Sequence, residues 1–273
     1  MTVTVAACQI PAYIDAPDPA VLVTAVREAA DQGARLIVLP ELAVCGYAFR
    51  NREEARAAAQ PLEGPTVGLL RSLSRELGCV LVCGLAELGE DGAVYNSAVV
   101  VERGVLRTCY RKVHLWGRES QLFTAGSHPP AVIETAIGRL AVLICYDLEF
   151  PEWVGPVALA GAEILAVPAN WPLVPRPAGE RPLEVIKAQA AAATWRLHVV
   201  VADRCGSERG VDWIGGSAVC ASTGFLVVGP PTPVDALAER VVLTGELDPA
   251  AARNKSLGPH NDAVADRRPD LYR

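Results

Sequence analysis

Runs of β-branched and other apolar residues recur along the chain: VTVAACQI near the start, then RLIVLPE, CVLVCGLAE, YNSAVVVE, GVLRTCYR, LAVLICYD, EILAVPAN, LHVVVAD, GGSAVC, GFLVVG and ERVVLTGEL. Each reads as a strand. Ala-rich stretches with helical periodicity separate several of them, at 19–32, 65–77, 152–160 and 182–196. Pro65 and Pro182 stand where a first turn tolerates proline. The pattern predicts a mixed α/β protein with a two-layer sheet core. Because the strands of 79–112 follow one another closely, hairpins must accompany the βαβ units. No low-complexity linker appears, and the proline-rich pieces 172–182 and 230–233 are short enough to be loops, so 1–273 is expected to be one domain. The polar stretch 249–273 has no place in a sheet, and we expect it at a subunit interface.

Composition narrows the classes. The 273 residues are 51% hydrophobic and 21% charged, enough for a large core in a soluble globular protein. A net charge of −6 without a basic run argues against nucleic acid and anionic membranes as partners. No apolar stretch approaches the roughly 18 residues of a membrane span. The N-terminal MTVTVAACQIPAY lacks the basic start of a secretory signal, so we expect a cytoplasmic chain. Its eight cysteines are then reduced, and most are small core residues. Cys79 and Cys83 have neither a second pair nor clustered histidines to complete a metal site.

In α/β sheets ligands gather beyond the carboxyl ends of strands, so polar residues closing an apolar run are the candidates for chemistry. Glu41 closes RLIVLP, Lys112 follows GVLRTCYR, Cys145 closes LAVLI, and Asn170 closes EILAVPA. Cys145 precedes a helix start at Pro151 and Glu152, a strand-turn-helix junction whose amides can lower a thiol pKa and hold an oxyanion. Glu41 at a buried strand end is expensive unless paired or functional, and a carboxylate beside a thiol is the base that a cysteine nucleophile needs. Lys112 is one of only three lysines among 25 Lys and Arg, and a compact ammonium suits an oxyanion. Taken singly, each also admits a plain role: a core cysteine, a capping or salt-bridged acid, a solvated strand-end lysine. The histidines at 114, 128, 198 and 260 lack metal-ligand spacing, and His114 reads as a structural hydrogen-bonding residue. No Gly-x-Ser-x-Gly elbow or phosphate loop is present.

The segments LPELAVCGY, YRKVHL and ICYDLEFPE, in that order, resemble the nitrilase superfamily of carbon-nitrogen hydrolases. The resemblance puts its Glu-Lys-Cys triad at Glu41, Lys112 and Cys145, and a second glutamate at Glu119, four residues before Phe123 in ESQLFTAG. Ala125 departs from the proline common before that glycine. The fold implied is an α-β-β-α sandwich, pairing into an α-β-β-α-α-β-β-α homodimer through a helical face, with the tail crossing the interface and no cofactor. The activity implied is hydrolysis through a thioester. Glu41 is the base, Lys112 and the Tyr146 N–H are the oxyanion donors, and Glu119 is a positioning acid.

CYDLEFPE resembles the amidase branches, which implies a small aliphatic amide, ω-amino amides included, as substrate. N-carbamoyl amines and nitriles are the alternatives, and an inactive binding or regulatory member of the fold is the reading from a different class. Carbamoylases often carry arginines just after the cysteine to clamp a carboxylate, where this chain has Leu148 and Glu149, so a carboxylate-bearing substrate is not expected. Glu149 is therefore expected to receive a cationic substrate tail, or else to be a supporting acid. Asn170 and Trp171 are expected to line the pocket, with Trp116 and Tyr47 beside them. An anionic preference would instead implicate Arg176 or Arg204.

Overall fold

The computed structural model describes residues 1–230 and 239–272. Strand β1 (Val3–Gln9), helix α1 (Pro19–Asp31) and strand β2 (Leu36–Val38) open the chain. Helices α2 (Arg52–Ala58) and α3 (Pro65–Leu77) precede three successive strands, β3 (Val80–Leu88), β4 (Val94–Glu102) and β5 (Val105–Arg111). The single turn α4 (Glu119–Leu122) leads to β6 (Ile133–Thr135) and β7 (Gly138–Val142), and then α5 (Pro151–Leu159), β8 (Ile164–Ala169), α6 (Leu183–Trp195) and β9 (His198–Asp203) alternate. A small hairpin, β10 (Ser207–Glu208) and β11 (Val211–Asp212), precedes β12 (Ala218–Cys220), β13 (Leu226–Val228) and β14 (Val241–Leu247).

Two six-stranded sheets result, ordered β14-β1-β2-β3-β4-β5 and β13-β12-β9-β8-β7-β6. Strands β1, β2 and β3 run parallel in the first, as do β7, β8 and β9 in the second. In the first sheet the antiparallel hairpins fall at β3-β4-β5, where closely spaced strands demanded them, and β6-β7 and β12-β13 add hairpins to the second. Alternation along the strands explains the layering. In β1, Val5 and Ala7 enter the core between the sheets, whereas Ala6 and Cys8 face Leu22, Val26 and Leu70 of α1 and α3. Val185, Ala188 and Ala192 of α6 join Val154 and Val157 of α5 in packing against the second sheet. The architecture is an α-β-β-α sandwich, and strands covered on both faces become nearly continuous apolar runs.

Local signals set the helix ends. Asp18 caps α1, its carboxylate accepting from Ala20 N–H at 2.9 Å, and Pro19 opens the first turn. The four expected helices are present within a residue of their predicted limits. Helix α2 was not expected because only its Ala55 is buried, so it carries no apolar stripe; its start is fixed by Asn51, which accepts from Glu54 N–H at 2.9 Å. The strand expected through LAVLICYD stops pairing at Val142. Residues 231–233 of the second proline-rich piece lie outside the described residues. The tail from Pro249 onward forms turns, and Lys255 donates to the carbonyls of Trp195 and Arg196 at 3.0 and 2.9 Å, satisfying the C-terminus of α6.

Candidate active site

Glu41 follows β2 on a segment that lies directly against β3. Gly84 N–H donates to Pro40 O at 3.1 Å, and Ala43 N–H donates to Gly84 O at 3.0 Å. A Cβ on Gly84 would stand 2.5 Å from Glu41 Cα, so only glycine allows this approach. Lys112 is held by its backbone: its N–H donates to Asn96 O at 2.8 Å, and its carbonyl accepts from Gly126 N–H at 2.8 Å. Gly126 ends the Phe-x-x-Gly turn, and a Cβ there would come 2.2 Å from Arg111 O. With Ala125 in place of proline, the turn still closes onto Lys112.

These segments bring three charges together out of water. Lys112 Nζ donates to Glu41 Oε1 at 2.6 Å and to Glu119 Oε1 at 2.8 Å, and all three residues are buried. Asn96 Nδ2 donates to Glu41 Oε1 at 2.6 Å, while Tyr47 OH donates to Glu119 Oε1 at 2.5 Å and Trp116 N–H to Glu119 Oε2 at 3.2 Å. Burial pushes Glu41 up to about 7 against the pull of Lys112. Burial also disfavours the Lys112 ammonium, but the carboxylates of Glu119 and Glu41 outweigh it and hold the lysine well above its ordinary value. A cation between two carboxylates thus stays charged in a setting where an isolated one would not.

Cys145 begins a single 3₁₀ turn, Cys145–Glu149, with φ at 48°, the left-handed region that a side-chain-bearing residue occupies at a cost of about 1–3 kcal/mol. Asp147 over-determines that turn. Its Oδ2 accepts from Ile144 N–H at 3.2 Å and Tyr110 OH at 2.8 Å, and its Oδ1 accepts from His114 N–H at 2.9 Å. His114 Nδ1 lies 2.7 Å from the same Oδ1, and its ring stacks on Phe150 with centroids 3.8 Å apart, the structural role its sequence position suggested. Through Asp147 the nucleophile turn is tied to β5 and to the segment bearing Lys112. The thiol is buried, 4.0 Å from Asn170 O, and feels the charges of Glu41, Lys112 and Glu119. Burial and the Glu41 carboxylate hold it well above its ordinary pKa, so the thiol is neutral at rest. Tyr146 N–H lies in the first turn, where a helix leaves amides without internal acceptors.

A cavity of about 540 Å³ opens beside this cluster, walled by Tyr47, Phe49, Trp116 and Trp213, with Glu119 among its lining residues. Asn170 is buried, and neither polar atom of its side chain has a partner among the described residues. The Trp171 indole belongs to the core and lies against Gly216, and Trp213 takes the place in the wall expected of it. Glu149 does not line the cavity; Lys187 takes up its carboxylate at 2.5 Å, the supporting-acid outcome. Arg204 is buried, with its guanidinium 3.1 Å from Glu208 and over the Trp213 ring. Among the described residues no group of three or more His, Cys, Asp or Glu is arranged to hold a metal ion.

Besides Asp147, two further supporting acids had no place in the sequence reading. Asp203, closing β9, accepts from Trp171 N–H at 2.9 Å, Arg204 N–H at 2.9 Å and Gly216 N–H at 2.7 Å, and so anchors the backbone beside Asn170. Burial raises its pKa to about 7 despite these donors. Glu208 Oε2 accepts from Tyr47 and Ala48 N–H, both at 2.9 Å, and fixes the loop that presents Tyr47.

Comparison with known proteins agrees with the fold and the family resemblance. The family model described as carbon-nitrogen hydrolase matches residues 4–255. A protein named nitrilase from Pyrococcus abyssi is 39% identical over 255 residues, covering 90% of this chain and 89% of its own. N-carbamoylputrescine amidase from Solanum lycopersicum is 31% identical over 287 residues, covering 99% and 94%. Among solved structures, a variant of the amidase from Nesterenkonia sp. AN1 superposes with a TM-score of 0.75 at 27% identity, covering 98% of this chain and 96% of that one. It shows covalent addition of the acetamide moiety of fluoroacetamide at its active site cysteine.

Proposed function

This chain belongs to the carbon-nitrogen hydrolases of the nitrilase superfamily, and from that premise we propose that it cleaves small aliphatic primary amides to acid and ammonia through a thioester on Cys145. The observation that carries the reading is the pairing of a buried neutral thiol with a carboxylate brought to about 7, beside a lysine held cationic. Glu41 takes the thiol proton as the sulfur attacks the carbonyl carbon. The oxygen, now negative, is met by the Lys112 ammonium and the Tyr146 N–H. Glu41 returns the proton to the nitrogen, ammonia leaves, and the thioester remains. Water then gives a proton to Glu41 and attacks the thioester, the sulfur departs with its bonding pair, and Glu41 reprotonates it. Glu119, held by Tyr47 and the Trp116 amide, orients Lys112 throughout. Two moderate barriers replace direct hydrolysis of a resonance-stabilised amide.

Fluoroacetamide provides the direct test. The expected result is one added acetamide group per chain, mapped by peptide mass to Cys145 and absent in Cys145→Ala. Alkylation spread over several cysteines would defeat the assignment. A panel of primary amides, N-carbamoyl amines and nitriles assayed for ammonia decides the substrate class, with primary amides turned over fastest. The tomato relative matches nearly the whole chain, which makes N-carbamoyl amines the second reading. Faster turnover of those would replace the first.

A further inference from the structure

The chemistry at Cys145 leaves open what the far end of the substrate carries, and the charges at the cavity mouth bear on that question. Three arginines line it: Arg50, Arg118 and Arg209. Two carboxylates stand near them. Arg209 holds both, bonding Asp15 through Nε at 2.8 Å and Glu54 through Nη1 and Nη2 at 2.8 Å. Arg50 lies close enough to Asp15 and Glu54 to favour their ionised forms. Three cations therefore face two anions. Among the described residues neither the Arg50 nor the Arg118 guanidinium forms an ion pair, but Arg50 has the charges of Asp15 and Glu54 in reach, whereas the Arg118 guanidinium bonds only the Arg50 carbonyl, from Nη2 at 2.9 Å, which fixes it without neutralising it. Deeper in, Glu119 is already taken by Lys112 and Tyr47. Glu149, the acid that would have favoured a cationic tail, is paired with Lys187.

Resting on the hydrolase reading above, we infer that Arg118 is the specificity-determining residue of this cavity and that it selects primary amides whose distal end bears a carboxylate. The reacting amide sits at Cys145, the methylene chain lies along the aromatic wall, and the carboxylate meets the free N–H groups of Arg118. A planar guanidinium held by one N–H keeps the fork geometry that suits a carboxylate. Because this contact is remote from the reacting bond, it acts on KM more than on kcat.

The test compares kcat/KM for three amides of matched length, ending in a carboxylate, a methyl group or an ammonium. The carboxylate amide is expected to exceed the neutral one by about tenfold, mainly through KM, and the ammonium amide to be poorest. Arg118→Gln should bring the carboxylate-to-neutral ratio close to one, and Arg118→Glu should invert it. In the unmodified enzyme the same ratio should fall as salt is raised, since a contact at the mouth is screened; this readout needs no variant to fold. A neutral amide equal to or better than the carboxylate amide overturns the inference, as does a ratio indifferent to both substitutions. Either result leaves the hydrolase reading intact. Failure of all three amides, with no fluoroacetamide adduct on Cys145, overturns that reading and this inference with it.

Discussion

Replacing Asn96 by alanine should move the acidic limb of the pH profile of kcat/KM upward. Glu41 must be ionised to accept the thiol proton, so the rate rises with pH through its pKa and falls about tenfold per unit below it. Burial sets that pKa near 7, while Lys112 and Asn96, both bonded to Oε1 at 2.6 Å, hold it down. Hydrogen bonds to a charged group are worth about 1.5–3 kcal/mol, and one pKa unit is about 1.4 kcal/mol, so losing Asn96 should raise the midpoint by about one to two units. At neutral pH, where the parent is itself about half ionised, the variant should therefore be about five- to fiftyfold slower, and much of that loss should return as the pH is raised toward about 9. Initial rates of ammonia release across this range, with circular dichroism to verify folding, provide the measurement. A deficit that is the same at every pH would mean that Asn96 serves only the packing. An unmoved or lowered limb would refute the assignment of Glu41 as the titrating base.

Glu119→Gln should lose most activity while keeping its circular dichroism, and Tyr47→Phe, which removes only the 2.5 Å bond to Glu119, should lose less; a fully active Glu119→Gln would exclude that residue from the site. Asp203→Ala strands three backbone donors at about 1–3 kcal/mol each, so urea unfolding should show a loss of several kcal/mol, and a loss below about 1 kcal/mol would contradict the anchoring role. Asp203 also predicts a pH trend: its folded pKa of about 7 lies above the ordinary 3.8, so the stability it contributes is fully present below 3.8 and lost as pH rises through 7, by up to about 4 kcal/mol. Asp203→Asn should flatten that decline in unfolding measurements. Leu183 and Ile186 are exposed at the start of α6, and we expect this helical face to pair two copies; sedimentation of Ile186→Glu should then show a smaller particle than the parent, and equal masses would remove the face from consideration.

The layered fold was legible because strands covered on both faces leave long apolar runs and the main helices bury a regular stripe. Glu41, Cys145 and Asn170 were legible for a related reason, as polar residues that close such runs. Asp203 carries the same signal at the end of LHVVVAD and went unread, since an acid at a strand end is also an ordinary turn residue. Asn96 had no signal to offer. It lies within a strand whose residues are all buried, and only the tertiary meeting of β4 with the Glu41 segment gives its amide a purpose. Glu149 misled because proximity in sequence was read as proximity in space. A 3₁₀ turn advances by three residues, and four positions beyond the nucleophile the side chain has swung toward α6, where Lys187 meets it. Arg118 was equally silent, since its lack of a carboxylate depends on Asp15 and Glu54 being drawn to an arginine far along the chain.

Several of this chain's departures from ordinary folding rules meet at one spot. Leu42, next to the base Glu41, and the nucleophile Cys145 hold positive φ angles of 49° and 48° without being glycine, as Arg103 and Arg196 do elsewhere. Glu41, Lys112 and Glu119 are charges withdrawn from water, and Glu41 Oε2 and both polar atoms of the Asn170 side chain stay unpartnered among the described residues. Each departure lowers stability, and none is needed to hold two sheets together, because the core is supplied by the strands themselves. They are intelligible if the missing partners belong to a substrate. A primary amide brings an N–H donor and a carbonyl acceptor, which match the acceptor and donor left open on Asn170, and its carbon is what the thiol attacks. The carboxyl ends of β2, β7, β8 and β9 supply Glu41, Cys145, Asn170 and Asp203 from the two facing sheets, so the constellation exists only when those sheets are docked. A core substitution that loosens the docking should therefore cost activity before it costs secondary structure.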